Sequence, residues 1–199
     1  MPTSTPPSSR YGLFVGVEIA KVCRAVVRAF QPVAAGRAIT LTADLPSGAL
    51  LVRGDEVRLG QVLRNLLDNA LRYTPSGGAV TLTLQACPPD GGGDHRLVLR
   101  VSDTGPGIPV SERERVFERF HRGVDQVDRR AGGSGLGLAI CKAIVLAHGG
   151  RMRVADGAGA DTNGPRGGTA IIVVLPVATE TTLTTGARRL EDSARMTFT

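Results

Sequence analysis

Asn65, Asn69 and Arg72 stand at i, i+4 and i+7 within QVLRNLLDNALRYTP (61–75). A helix through this stretch therefore stacks two carboxamides and a guanidinium on one stripe, with Tyr73 at its end. A solvated helical face usually mixes Glu, Lys and Gln, whereas Asn is a mediocre helix former that gains by making local hydrogen bonds. The pair suits either the holding of a ligand or the pinning of neighbouring loops. Two glycine-rich segments bear on that choice. In DTGPGIP (103–109), Asp103 ends the apolar run 97–102 just before a turn containing Gly105, Pro106 and Gly107, where a carboxylate accepts hydrogen bonds in a pocket. In GGSGLGLAI (132–140), the glycines at 133, 135 and 137 open a second helical stretch. Without a Cβ in the way, backbone N–H groups there can approach an anion at the positive end of a helix.

These residues need a scaffold, and the hydrophobic periodicity supplies one. Leu59, Val62, Leu63, Leu66, Leu67, Ala70 and Leu71 form the buried side of the Asn-bearing helix, with Asp55 as its N-cap and Thr74, Pro75, Gly77 and Gly78 as its stop. From Val17, the positions Ile19, Val22, Cys23, Val26, Val27, Phe30 and Val33 trace another helical face, closed near Gly36 by a glycine C-cap. Residues 38–43 and 50–53 read as strands flanking a turn at 46–48. Val80, Leu82 and Leu84 alternate with polar residues, as in a half-buried strand that pairs with 97–101 across the turn PPDGGGD (88–94). Ser111 and Glu114 form a capping-box pattern, predicting a short helix over 112–120 with Phe117 and Phe120 on one side. Residues 121–134 show no period and are expected to be a mobile loop of the kind that serves as a lid. A helix over 135–149 and strands at 151–154 and 169–175 follow, the last strand an apolar run buried in the sheet and ended by Pro176.

Length and composition bound the rest. With 199 residues, 42% hydrophobic and 21% charged, the chain holds one ordinary domain, expected at 13–177, between a flexible Pro/Ser/Thr-rich leader (1–12) and a threonine-rich tail (178–199). The formal charge of +6 admits nucleic acid or an acidic partner, but the arginines between 113 and 130 lack the interleaved aromatics of a base-stacking platform, so nucleic acid is not expected. Cys23, Cys87 and Cys141 are scattered and odd in number, which indicates neither a zinc site nor a disulfide framework and fits a cytoplasmic setting. No apolar run approaches the ~20 residues of a membrane span, and MPTSTPPSSR lacks the apolar core of a signal peptide.

Four segments in order, NLLDNALRYT, DTGPGIP, RVFERFHR and GSGLGLAI, resemble the N box, first glycine box, F box and second glycine box of the ATP-binding catalytic domain of sensor histidine kinases. That domain belongs to the histidine kinase-like ATPase superfamily, the Bergerat fold, and the resemblance spans roughly 17–176. It implies an α/β two-layer sandwich: a mixed sheet of about five strands, about three helices on one face, and a mobile ATP lid. By resemblance Asn69 offers its oxygen to Mg²⁺, and Asn65, one turn earlier, joins it at the nucleotide and in catalysis. Arg72 stands where the family commonly has lysine, so its contact with phosphate would have a different geometry. Asp103 accepts the adenine amino hydrogen with Thr169 of the GGT segment nearby, and Ile108 and Leu138 line the pocket. Tyr73 either lies against the base or belongs to the core. Gly105, Gly107, Gly133, Gly135, Leu136 and Gly137 surround the nucleotide. Arg122 either supplies positive charge to the transferring phosphoryl group or is simply solvated.

The resemblance further implies transfer of the γ-phosphoryl group of ATP to a histidine on a separate dimerisation domain, with a response regulator downstream. Related gyrase-type and mismatch-repair ATPases carry a glutamate at position 65 as general base, and asparagine cannot take a proton, so hydrolysis is expected to be slow. None of His95, His121 and His148 sits in the family's H-E-x-x-[TNS]-P phosphoacceptor pattern. The chain is then expected to be either a fragment of a larger kinase, such as the cytoplasmic part of a membrane sensor, or a split kinase acting on a separate protein. The alternatives are a stand-alone serine kinase of the anti-sigma-factor type and a nucleotide-binding module without transfer activity.

Overall fold

The computed structural model describes residues 15–88, 95–121, 135–157 and 167–177. Its elements are β1 (Val15–Glu18), α1 (Ile19–Gly36), β2 (Thr40–Asp44), β3 (Leu51–Gly54), α2 (Glu56–Tyr73), β4 (Ala79–Cys87), β5 (Arg96–Asp103), α3 (Gly137–Ala147), β6 (Arg151–Asp156) and β7 (Thr169–Pro176). Two 3₁₀ turns, Val110–Glu112 and Arg115–Phe117, lie between β5 and α3. The proposed leader and tail, the glycine turn beyond Pro88, and residues 122–134 with Arg122 and Gly133 lie outside the described residues.

The main sheet has the order β2-β4-β5-β7-β6, with β2 parallel to β4 and every other pair antiparallel. The three helices among the described residues pack on one of its faces, giving the expected two-layer sandwich with a mixed five-stranded sheet. Strand alternation explains why. Val80, Leu82 and Leu84 on β4, Leu97, Leu99 and Val101 on β5, and Ile171, Val173 and Leu175 on β7 all join the core with the apolar side of the helices. Every apolar position assigned to the inner face of α2 is buried. That helix begins where the Asp55 carboxylate accepts the Arg58 N–H at 3.1 Å and ends where the Thr74 hydroxyl donates to the Ala70 carbonyl at 2.7 Å, just ahead of Pro75.

The structure differs from the sequence reading at several places. Val17 belongs not to α1 but to β1, which pairs antiparallel with β3 as a separate two-stranded sheet, so β3 does not pair with β2 across the 46–48 turn. Helix α1 is not closed by a left-handed glycine, because the residue with positive φ is Ala38 at 54°, beyond Gly36. Nor is 112–120 one helix. Phe117 is 8% exposed beneath Lys142 of α3, whose ammonium lies 5.2 Å from its ring centroid, whereas Phe120 is 72% exposed. A continuous helix would hold residues three apart on one side. Phe120 instead adopts φ 62° and turns its N–H to the Gly135 carbonyl at 3.0 Å.

Candidate functional site

Asp103 ends β5, an interior strand, and the packing around it is tight. Its Oδ1 accepts the Gly105 N–H at 2.9 Å and the Thr169 N–H at 3.2 Å, while Oδ2 makes no hydrogen bond among the described residues. Burial raises its pKa above the usual 3.8, and the two backbone donors partly offset that rise. The turn after it is held by reciprocal bonds between Thr104 and Ala79: the Thr104 N–H donates to the Ala79 carbonyl at 3.1 Å, and the Ala79 N–H to the Thr104 hydroxyl at 2.9 Å. Gly105 sits under the end of α2, where an added Cβ would lie 2.8 Å from the Tyr73 carbonyl oxygen. Gly168, with φ 99°, backs onto the Asp103 carbonyl so closely that a Cβ would collide with it, and Gly107 packs in turn against Gly168. The first glycine box and the GGT segment thus form one backbone-lined wall around a single carboxylate. Ile108 is half-buried, and its carbonyl accepts from the Arg113 guanidinium, which also pairs with Asp156.

The polar stripe of α2 divides into three kinds of side chain. Asn65 is committed: its Nδ2 donates to the Gly137 carbonyl at 3.4 Å, tying α2 to the start of α3. Beside it the buried Cys141 thiol points to the Val62 carbonyl, and burial pushes its pKa up to about 11 against the lowering effect of Asn65. Asn69, half-buried, makes no hydrogen bond among the described residues. Arg72 is held along its own helix by Asp68 at 2.7 Å. Tyr73 is half-buried at the helix end, and Leu138 packs against the core. The first turn of α3 leaves N–H groups without intrahelical acceptors.

Gly135, with φ 68°, accepts the Phe120 N–H through its carbonyl at 3.0 Å. Close to that clasp the His121 ring and the Glu112 carboxylate, both largely shielded from solvent, stand 2.7 Å apart. The sequence reading missed this pair, because nothing local couples a residue of a 3₁₀ turn to one nine positions later. It also missed Gly168 as the wall behind Asp103, although the GGT triplet was the available signal. The structure brings Asp103, Gly105, Gly107 and Thr169 together as neighbours.

The family model described as histidine kinase-, DNA gyrase B-, and HSP90-like ATPase matches residues 54–179. The signal transduction histidine-protein kinase BaeS of Escherichia coli is 40% identical over 149 residues, covering 75% of this chain and 29% of that protein. This chain therefore spans less than a third of that relative. The mycobacterial sensor histidine kinase MprB superposes with a TM-score of 0.67 at 37% identity, over 82% of this chain and 97% of that one. Full-length ShkA in complex with AMPPNP superposes with a TM-score of 0.64 at 34% identity, over 83% and 31%. Together with a mixed sheet carrying its helices on one face, these matches place the chain in the histidine kinase-, DNA gyrase B-, and HSP90-like ATPase family, as an ATP-binding histidine kinase catalytic domain of the Bergerat fold.

Proposed function

We propose that this domain, within residues 13–177, transfers the γ-phosphoryl group of ATP to a histidine on a dimerising phosphoacceptor domain, from which a response regulator is served. The carrying observation is position 65. A carboxylate there would activate water, but the side chain is an amide, and its nitrogen is already bound to the Gly137 carbonyl. The neighbouring acid on that helix, Asp68, is neutralised by Arg72. With no general base on the stripe, water is a poor attacker and an imidazole nitrogen from a partner is a better one.

The residues present suit Mg-ATP. Asn69 has an amide oxygen without a described partner, enough for a cation that keeps most of its waters and takes one or two protein oxygens. When bound, Mg²⁺ neutralises charge on the phosphates and helps align the γ-phosphoryl group. Asp103 has Oδ2 left over to accept an adenine amino hydrogen, with Oδ1 fixed by Gly105 and Thr169. The N–H groups about Gly135, Leu136 and Gly137 at the head of α3 serve phosphate oxygens, as does Gly133 of the same motif, and Arg72, which gives only Nη2 to Asp68, turns its remaining guanidinium nitrogens to them. Ile108 and Leu138 border the base, Tyr73 covers it, Gly107 lets the turn close on it, and Arg122 adds charge at the transferring group. ATP places the work in the cytoplasm.

Incubating the chain with γ-labelled Mg-ATP and a histidine-bearing hairpin protein tests the proposal. The expected product is phosphate on the hairpin that is lost in acid. Acid-stable phosphoserine would point instead to a serine kinase, and binding of ATP with no labelled partner to a regulatory module. Asn69→Ala is expected to abolish Mg-dependent ATP binding in calorimetry; full retention would remove Asn69 from the site.

A further inference from the structure

The face of the sheet away from the helices carries charge that nucleotide binding does not use. Alternation turns Arg96, Val98 and Arg100 of β5 to that side, and the register sets Pro176, Val174 and Ile172 of β7 beside them and Arg151 and Arg153 of β6 beyond. Four arginines thus flank a strip of β-branched side chains over a patch about 13 Å long and about 10 Å wide, from strand rise and spacing. The helices pack on the other face, and here Ile172 and Val174 are covered to 6% and 8% exposure, so what this face offers a partner is chiefly its arginines and the exposed Pro176. Among the described residues Arg96, Arg151 and Arg153 have no ion pair and no side-chain hydrogen bond, while Arg100 bonds the Ser102 hydroxyl and the Asp156 carbonyl. The acid closest in the register, Asp156, is taken by Arg113.

Edge protection accounts for only half of this. β6 is an edge strand, where arginines discourage pairing with another chain, but Arg96 and Arg100 lie two strands inward. A cavity of about 210 Å³ opens at the end of the patch, lined by His95, Arg96, Arg151, Val174, Leu175 and Pro176. Two guanidiniums, the His95 ring and the Gly149–Gly150 backbone give it a mixed, cationic lining around the exposed Pro176. A side chain with a short aliphatic stem and a carboxylate head fits this lining, the stem on the exposed Pro176 and the head between the two guanidiniums.

We propose that this face docks an extended acidic segment of a partner protein, with one glutamate seated between Arg96 and Arg151. The concavity favours a projecting side chain over a flat anionic bilayer, and the patch offers no aromatic platform for nucleic acid. The probe is a fluorescein-labelled decapeptide of alternating Glu and Ala, titrated by anisotropy against the full chain. Arg96→Glu/Arg151→Glu is expected to weaken binding at least tenfold, and Arg96→Gln/Arg151→Gln at least threefold. Arg28→Glu/Arg64→Glu, which changes net charge equally on exposed helix positions, is expected to cost less than twofold. Thermal melting of each variant confirms that it folds. The proposal is overturned if the wild-type chain ignores the peptide, if both charge-reversal pairs lose binding equally, or if phosphatidylserine vesicles or a DNA duplex bind in preference to the peptide.

Discussion

At Asp103 the proposed recognition of adenine works against stability. Its carboxyl is buried, and desolvation outweighs the two backbone N–H donors, so its folded pKa lies above that of the unfolded chain. An acid shifted upward binds its proton more tightly in the native state. Stability therefore falls as pH rises through the window just above 3.8, and at neutral pH the charge is a net cost. Asp103→Asn keeps an oxygen for the Gly105 and Thr169 N–H groups while removing the charge. The variant is expected to be more stable than wild type to urea at pH 7, with the advantage shrinking as pH falls toward 4. Its preference for ATP over GTP should weaken at the same time; unchanged discrimination would take Asp103 out of base recognition. The cysteines give a second test at this scale. Burial pushes Cys23 up to about 12 and Cys141 to about 11, whereas Cys87 is only half-buried. Because the thiolate is the nucleophile, iodoacetamide at pH 8 is expected to label Cys87 alone in the native protein, as mass spectrometry of the digest would read.

Among the elements, His148 pins one end of the join between α3 and α2, as Asn65 does the other. The Asp55 N–H donates to its Nε2 at 3.0 Å, so that nitrogen is unprotonated, and Nδ1 carries the proton toward the Ile144 carbonyl at 2.7 Å. One imidazole thereby fixes the start of the Asn-bearing helix and the end of the glycine-box helix. His148→Ala should cost roughly 1–3 kcal/mol in urea unfolding, the range for a buried group stripped of its partner. Gly54→Ala should also destabilise, since its methyl would lie 2.5 Å from the His148 ring. The sequence reading assigned His148 a structural or surface role but not this contact, because a bond spanning 93 positions leaves no local period. What was legible was periodic. The inner face of α2 was read residue for residue, and β4, β5 and β7 declared themselves by alternation or by an unbroken apolar run. β1 was not legible, since four residues become a strand only through a distant partner. The 112–120 helix failed because a sound capping pattern was overridden by tertiary demands, with Phe117 drawn under α3 and Phe120 turned toward Gly135. Likewise, the motifs named Asn65 and Arg72, while their partners Gly137 and Asp68 emerged only from packing.

At the scale of the molecule, the proposed transfer raises the question of whether the chain could itself accept the phosphoryl group. Asp103 lies at one end of β5 and His95 just before the other, roughly 26 Å away at about 3.3 Å per residue. His121 is shielded against Glu112, and both ring nitrogens of His148 face backbone groups whose loss would loosen two helices. No histidine in the described structure therefore combines an available nitrogen with proximity to Asp103. Transfer depends on a loose transition state aligned with its acceptor, and displacement by even an ångström is costly. Incubated alone with γ-labelled Mg-ATP, the chain should remain without acid-labile label over hours and release phosphate only slowly. With a histidine-bearing hairpin added, the hairpin should be labelled and the chain still not. His95→Gln, at the one exposed imidazole, should leave that outcome unchanged. Acid-labile phosphate on the chain by itself, lost on His95→Gln, would mean that a second copy presents this histidine to the ATP site, and would replace the separate-acceptor mechanism with transfer between like chains.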